Sequence, residues 1–143
     1  MATFLIIGAS SGIGKATASK LSDQGHQVYG TFNKNETAIE GIEFQHFNVL
    51  DTEELFVPEK LDGLVYCPGA INLKPFKMVN ERDLLSDYKL QVIGAINIIQ
   101  RTLPALKKGK HPSILLFSSV ATQVGFPFHS IVSSSKGAIN GLV

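Results

Sequence analysis

Residues 3–14 read TFLIIGASSGIG. Phe4 to Ile7 is an unbroken apolar run, so Thr3–Ile7 is expected as a strand buried on both faces. It leads directly into Gly8-Ala9-Ser10-Ser11-Gly12-Ile13-Gly14. Three glycines let the backbone turn sharply and come close to a diphosphate. Ile13, Ala16, Thr17, Lys20 and Leu21 recur at helical spacing, which predicts a helix over Ile13–Asp23 that Gly25 ends. The start of that helix offers unpaired N–H groups and the positive end of its dipole to an anion. A plain strand-to-helix turn also carries glycine. Position after the first strand of an alternating repeat favours dinucleotide binding. The spacing is Gly-x-x-x-Gly-x-Gly, and Lys15 follows Gly14 without the Gly-Lys-Ser/Thr of a nucleoside-triphosphate loop.

The rest of the chain repeats the strand-then-helix pattern. Gln27–Phe32, Ile42–Phe47, Leu61–Cys67 and Ser113–Phe117 read as four further strands. Asp51–Leu55 reads as a short helix ended by Pro58. Asn80–Leu106 reads as a long helix with Leu84, Leu85, Tyr88, Val92, Ala95, Ile96 and Ile99 on its apolar side, ended or kinked by Pro104. Ser133–Val143 begins another helix. This alternation predicts the α/β class: a doubly wound parallel sheet with right-handed crossovers and helices on both faces. Residues 1–143 are expected to form a single domain. The last helix stops without a capping signal, and the chain reads as truncated after the fifth strand and the start of that helix.

Composition narrows the function classes. Of 143 residues 44% are hydrophobic and 17% charged, which excludes a disordered tail. The formal net charge is +1 and there is no long basic run, so neither nucleic acid nor an anionic membrane is an expected partner. No apolar run reaches the ~20 residues of a membrane span. The single cysteine, Cys67, rules out an intrachain disulfide. No basic region precedes the first apolar run, and the expectation is a cytoplasmic protein without a secretory leader. No metal site is expected.

The segments taken in order resemble the short-chain dehydrogenase/reductase family, whose fold is Rossmann-like. GASSGIG at 8–14 resembles its cofactor fingerprint. Cys67-Pro68-Gly69-Ala70 falls at its Asn-Ala-Gly motif. LQVIGAINIIQ at 90–100 resembles its fourth helix, FSSVATQVG at 117–125 its catalytic serine segment, and SSSKGAING at 133–141 its lysine helix. The resemblance implies hydride transfer between a nicotinamide dinucleotide and a small carbonyl or alcohol. It implies Ser119 as the serine that bonds the substrate oxygen and Lys136 as the lysine that holds the ribose hydroxyls. Three positions depart from the pattern. The acid/base tyrosine, one helical turn before the lysine, is Val132. Gln91 stands for the asparagine, and Cys67 for the motif asparagine. His129 is the best replacement proton donor, since imidazole titrates near neutral pH; Ser130 and Ser133 are nearby but are poor acids. Tyr29, Tyr66 and Tyr88 belong to other elements.

The cofactor set read this way is Gly8, Ser10, Ser11, Gly12, Ile13, Gly14, Asn33, Lys34, Asn48, Val49, Cys67, Gly69 and Lys136, with Asn48 and Val49 beside the adenine. An NAD enzyme carries an acid at the tip of the second strand to bond the ribose 2′-hydroxyl. Here that tip is Thr31-Phe32-Asn33-Lys34, which suits a 2′-phosphate instead. NADP(H) is therefore preferred. Glu36 keeps NAD(H) open, as does the reading of Lys34 as a solvated loop charge. Ile71–Val79 and Val124–Phe128 are candidate pocket walls, with Phe126 and Phe128 suited to an apolar substrate. The resemblance also implies a homodimer or homotetramer, paired through the long helix and the helix from Ser133. Two other roles stay open: a dinucleotide-binding protein without turnover, and a scaffold that binds no nucleotide.

Overall fold

The structure, a computed structural model, describes residues 1–51 and 54–143. Strands β1 (Thr3–Ile7), β2 (Gln27–Phe32), β3 (Ile42–His46), β4 (Gly63–Tyr66) and β5 (Ser113–Leu116) form one parallel sheet in the order β3-β2-β1-β4-β5. The chain builds outward from β1 to β3, then returns to lay β4 against the free edge of β1. That reversal leaves a crevice past the carboxyl ends of β1 and β4, where open α/β sheets bind ligands.

Side chains of the central strands alternate between two cores. Leu5 and Ile7 of β1 and Leu64 and Tyr66 of β4 pack with Val92, Ala95, Ile98, Leu106 and Ile139. Ile6, Val28 and Val65 pack on the other face with Ala9 and Ala18. Helix α1 (Gly12–Asp23) covers the second face. The first is covered by α3 (Gly94–Leu106) and, through Ile139, by α4 (Ser130–Leu142), and α2 (Glu81–Tyr88) packs on α4. Burial on both faces is why β1 and β4 are apolar throughout rather than alternating.

Three boundaries differ from the sequence expectation. The long helix is not uniform: a π-helical turn at Lys89–Ile93 separates α2 from α3. The extra residue rotates α2 relative to α3. Leu84, Leu85 and Tyr88 are therefore exposed, while Asp87 and Gln91 turn inward with Val92, Ala95 and Ile98. Pro104 does not end α3, which runs on to Leu106. Proline costs a helix one N–H bond, and so close to the last turn few others are disturbed. Helix α4 starts at Ser130, about a turn before the expected Ser133. The short helix expected over Asp51–Leu55 falls on residues 52 and 53, outside the described residues.

Candidate active site

The glycine turn is built by strain that only glycine tolerates. Gly8 has φ 80° and Gly12 φ 53°, values that disfavour any side chain. At Gly14 the constraint is space: a Cβ there would collide with the Gly8 carbonyl oxygen. The tip of β2 pins the turn from below. Gly8 N–H donates to Thr31 Oγ1 at 2.9 Å and Ala9 N–H to the Thr31 carbonyl at 2.8 Å. Ser11, at the N-cap of α1, makes no side-chain capping bond, and the first turn holds no acid. Its amides thus keep no internal competitor for an anion.

This turn forms one end of a cleft of about 1080 Å³, above the ~300–1,000 Å³ of sites for drug-sized ligands. Gly8, Ser10, Ser11, Gly12, Ile13 and Gly14 line that end. Asn33 and Lys34 line it beyond β2, and Asn48 and Val49 beyond β3. Asn48 is ordered by its own loop, its Nδ2 donating to Asp51 Oδ2 at 2.7 Å. Cys67 and Gly69 continue the wall past β4, and Ser119, Val132 and Lys136 close the far end. Segments following all five strands, together with α4, therefore meet in one cleft at the sheet's switch point.

Each far-end group has a defined state. The Ser119 hydroxyl oxygen accepts the Ala121 N–H at 3.1 Å, capping a 3₁₀ turn at Val120–Thr122. That bond occupies a lone pair and leaves the hydroxyl proton available to an acceptor in the cleft. Lys136 Nζ donates to the Phe117 carbonyl at 2.7 Å, and Ser118 Oγ donates to the Lys136 carbonyl at 3.2 Å. Burial pulls the Lys136 ammonium below the usual lysine range, opposed by the charge of Asp87 and then by Cys67. Burial likewise pushes the Cys67 thiol up to about 11, against the pull of Lys136, so it is neutral near pH 7. Val132 is buried at 6% exposure and carries no proton.

His129 is not part of this lining. It sits at the N-cap of α4 with Nδ1 2.7 Å from the Pro127 carbonyl, and its ring lies tilted against Phe126. Of the two candidate pocket walls, only Ile71 reaches the cleft. The two loops meet each other instead, through Lys74 N–H and the Phe128 carbonyl at 3.2 Å. Tyr29, Tyr66 and Tyr88 do not line the cleft; Tyr66 donates to the Leu90 carbonyl at 2.6 Å inside the π turn. The sequence reading missed Thr31, Ser118 and Asp87. Thr31 had a signal, as a polar residue next to the end of β2, whose tip meets the glycine turn.

Among the described residues, no helix is long and apolar enough to cross a membrane, and no three His, Cys, Asp or Glu side chains gather as metal ligands. The family model described as short chain dehydrogenase matches residues 2–143. A 3-ketodihydrosphingosine reductase of Bacteroides thetaiotaomicron is 30% identical over 96% of this chain and 54% of its own length. The human 17-beta-hydroxysteroid dehydrogenase type 1 is 28% identical over 96% of this chain and 49% of its own length. The chain thus spans about half the length of these curated relatives. Among solved structures, an aldohexose dehydrogenase of Thermoplasma acidophilum superposes at a TM-score of 0.85 with 19% identity, covering 99% of this chain and 58% of that one. A short-chain dehydrogenase of Streptomyces avermitilis gives 0.84 with 24% identity, over 99% and 58%. Those two likenesses speak for the fold alone. With the glycine turn, the switch-point cleft and a match along nearly every residue, the chain belongs to the short-chain dehydrogenase family.

Proposed function

We propose that residues 1–143 are a single dinucleotide-binding domain of an oxidoreductase that interconverts a carbonyl and an alcohol, with NADP(H) preferred over NAD(H). The observation that carries this is the opening of the uncapped α1 amides, Ser119 and Lys136 into one cleft. The residues present fit a nicotinamide dinucleotide. The glycine turn leaves room for a diphosphate, and Lys34 and Asn33, with no acid at the tip of β2, suit a 2′-phosphate. Such a cofactor would supply or accept the hydride.

The chain's own residues would do the rest. Ser119 donates its hydroxyl proton to the substrate oxygen. Lys136 offers its remaining N–H donors to hydroxyl groups in the cleft. Val132 supplies no proton, so that task falls to Lys136 or to His129. Lys136 is favoured because it faces the cleft and already sits below the usual lysine range. The relatives' names make 3-ketodihydrosphingosine and hydroxysteroids or their ketones the first compounds to assay. A cytoplasmic location and assembly as a homodimer or homotetramer complete the proposal.

The test titrates the intact protein with NADPH and NADH while thermal stability is followed. A ligand at 100 times its Kd adds about 2.7 kcal/mol. Absorbance at 340 nm then reports turnover on the ketone panel. No stabilisation by either dinucleotide would sink the reading. A second reading, dinucleotide binding without turnover, is favoured by Val132 alone. Stabilisation by NADPH with a silent panel would support it.

A further inference from the structure

Gln91 carries an amide that the chemistry above does not use. It lies in the π turn between α2 and α3 and is 1% exposed. Turns of this kind recur at functional sites. Its Nε2 is fully engaged, donating to both carboxylate oxygens of Asp87 at 2.9 Å and to the Ala70 carbonyl at 3.4 Å. Asp87 is itself buried, so its oxygens have little water to turn to. Turning the amide over would set Oε1 against those same acceptors. The direction of Oε1 is thereby fixed. Among the described residues, that oxygen is buried with no hydrogen-bond partner. Buried polar atoms are nearly always paired, so an orphan held in place points to a donor from outside the chain.

The surroundings place this oxygen on the cleft. Gln91 and Gly69 both line it. A Cβ on Gly69 would lie 3.5 Å from Gln91 Oε1 and 4.0 Å from its Cδ, and apart from chain neighbours nothing else stands within 4 Å. The missing side chain thus leaves room beside Oε1 for one small group. A lone water gains little from a single side-chain acceptor, since buried waters hold about three bonds. A donor carried on a larger molecule is held there by that molecule's other contacts. The Nε2 bonds to Asp87 polarise the amide and make Oε1 a stronger acceptor. The nearby carboxylate also disfavours an anionic group.

We propose that Gln91 Oε1 and the space left by Gly69 form a subsite for one hydrogen-bond donor, an O–H or N–H on a neutral or cationic group of a molecule in the cleft. Two sources carry such a donor: the hydroxyls or carboxamide of a dinucleotide, and a hydroxyl beside the carbonyl of a substrate. The first source rests on the dinucleotide reading above; the orphaned acceptor does not.

Two variants test the acceptor without any ligand. Gly69 does not have a positive φ, and 3.5 Å is an ordinary contact, so both side chains fit. Gly69→Ala fills the space with a methyl group, while Gly69→Ser adds a hydroxyl within reach of Oε1. The Cδ NMR signal of Gln91, assigned by its loss in Gln91→Met, should lie downfield in Gly69→Ser relative to Gly69→Ala. Gly69→Ser should also unfold at the higher denaturant concentration. Equal Cδ signals in the two variants overturn the proposal. Wild-type protein then receives NADPH, and hydroxyacetone or its methyl ether, methoxyacetone, with and without NADPH. A downfield step with NADPH assigns the donor to the dinucleotide. A step with hydroxyacetone and none with methoxyacetone assigns it to the substrate. Gly69→Ala should remove the step and weaken binding of the molecule that causes it by roughly 2–10-fold. A wild-type signal that ignores both NADPH and hydroxyacetone overturns the proposal. If NADPH raises thermal stability while Gln91 stays silent throughout, only the subsite fails. If NADPH gives no stabilisation but hydroxyacetone alone moves the signal, the subsite stands and the dinucleotide reading fails.

Discussion

At Gly14 the missing side chain is a requirement of the turn, because a Cβ would meet the Gly8 carbonyl oxygen. Gly14→Ala should push α1 away from β1 and remove NADPH binding, seen as loss of the ligand-induced rise in thermal stability. Gly8→Ala tests strain rather than collision, since its nearest neighbours stand at 3.4 Å while φ is 80°. It should cost about 1–2 kcal/mol in chemical denaturation and weaken binding less than Gly14→Ala. Val132 carries the opposite kind of prediction. It lies one helical turn before Lys136, so Val132→Tyr brings a phenol to the cleft wall within reach of an ammonium. If proton supply limits the rate, turnover of an accepted ketone should rise by about 10²–10⁴-fold. A fall in rate at unchanged NADPH affinity would show that Lys136 and Ser119 already manage the proton without it. The glycine turn could be read from sequence because its causes are local: three missing side chains and an apolar run on one side. The inward turn of Asp87 and Gln91 could not, because it depends on the break in helical phase at the π turn.

Between elements, register and phase decide what sequence periodicity conveys. The strands were readable because their apolar runs are short and bounded by glycine, and each lies within a residue or two of its expected place. The long helix misled in one respect. Periodicity with 3.6 residues per turn put Leu84, Leu85 and Tyr88 on the core side, but the π turn at Lys89–Ile93 breaks the phase. Tyr66 helps hold that turn by donating to the Leu90 carbonyl, a contact between β4 and a helix that no local pattern encodes. At the sheet's other end the start of β1 is clamped by Asp62. Thr3 N–H donates to its Oδ2 at 3.0 Å and Lys110 N–H to its Oδ1 at 2.9 Å. The Lys110 amide, then the Thr3 amide, hold the Asp62 carboxyl below its ordinary value, with Lys60 adding to the effect. In the unfolded chain the carboxyl returns to about 3.9. The folded state therefore binds fewer protons, so this stabilisation is present above about pH 4 and is lost as pH falls through the lower folded value. Asp62→Asn should flatten that part of the acid-unfolding curve, and an identical slope in both proteins would refute the clamp.

At the scale of the whole molecule, the proposed self-assembly can be tested on the exposed apolar side chains of α2. Leu84, Leu85 and Tyr88 on α2 and Ile93 in the π turn are between 38% and 51% exposed, while Asp87 and Gln91 occupy the inward side of the same stretch. Leu84 and Tyr88 stand one turn apart, so the patch runs along the helix rather than around it. Single exposed leucines need no explanation, but a contiguous apolar strip on a helix marks an interaction surface. Two copies related by a twofold axis would bury each strip against itself, and a stable dimer needs roughly 1,000 Å² or more in such a contact. The site would gain from such an arrangement. Gln91 and Asp87 share the helical stretch that would form the interface, so pairing would also hold the cleft wall in place. Leu85→Lys puts a charge into the middle of the strip without touching either core. Sedimentation velocity at micromolar concentration should show the intact wild-type protein as a dimer or tetramer and Leu85→Lys shifted to the monomer, with the far-ultraviolet circular dichroism of the two unchanged. A wild-type protein that stays monomeric throughout the concentration series would remove the strip from any role in self-assembly.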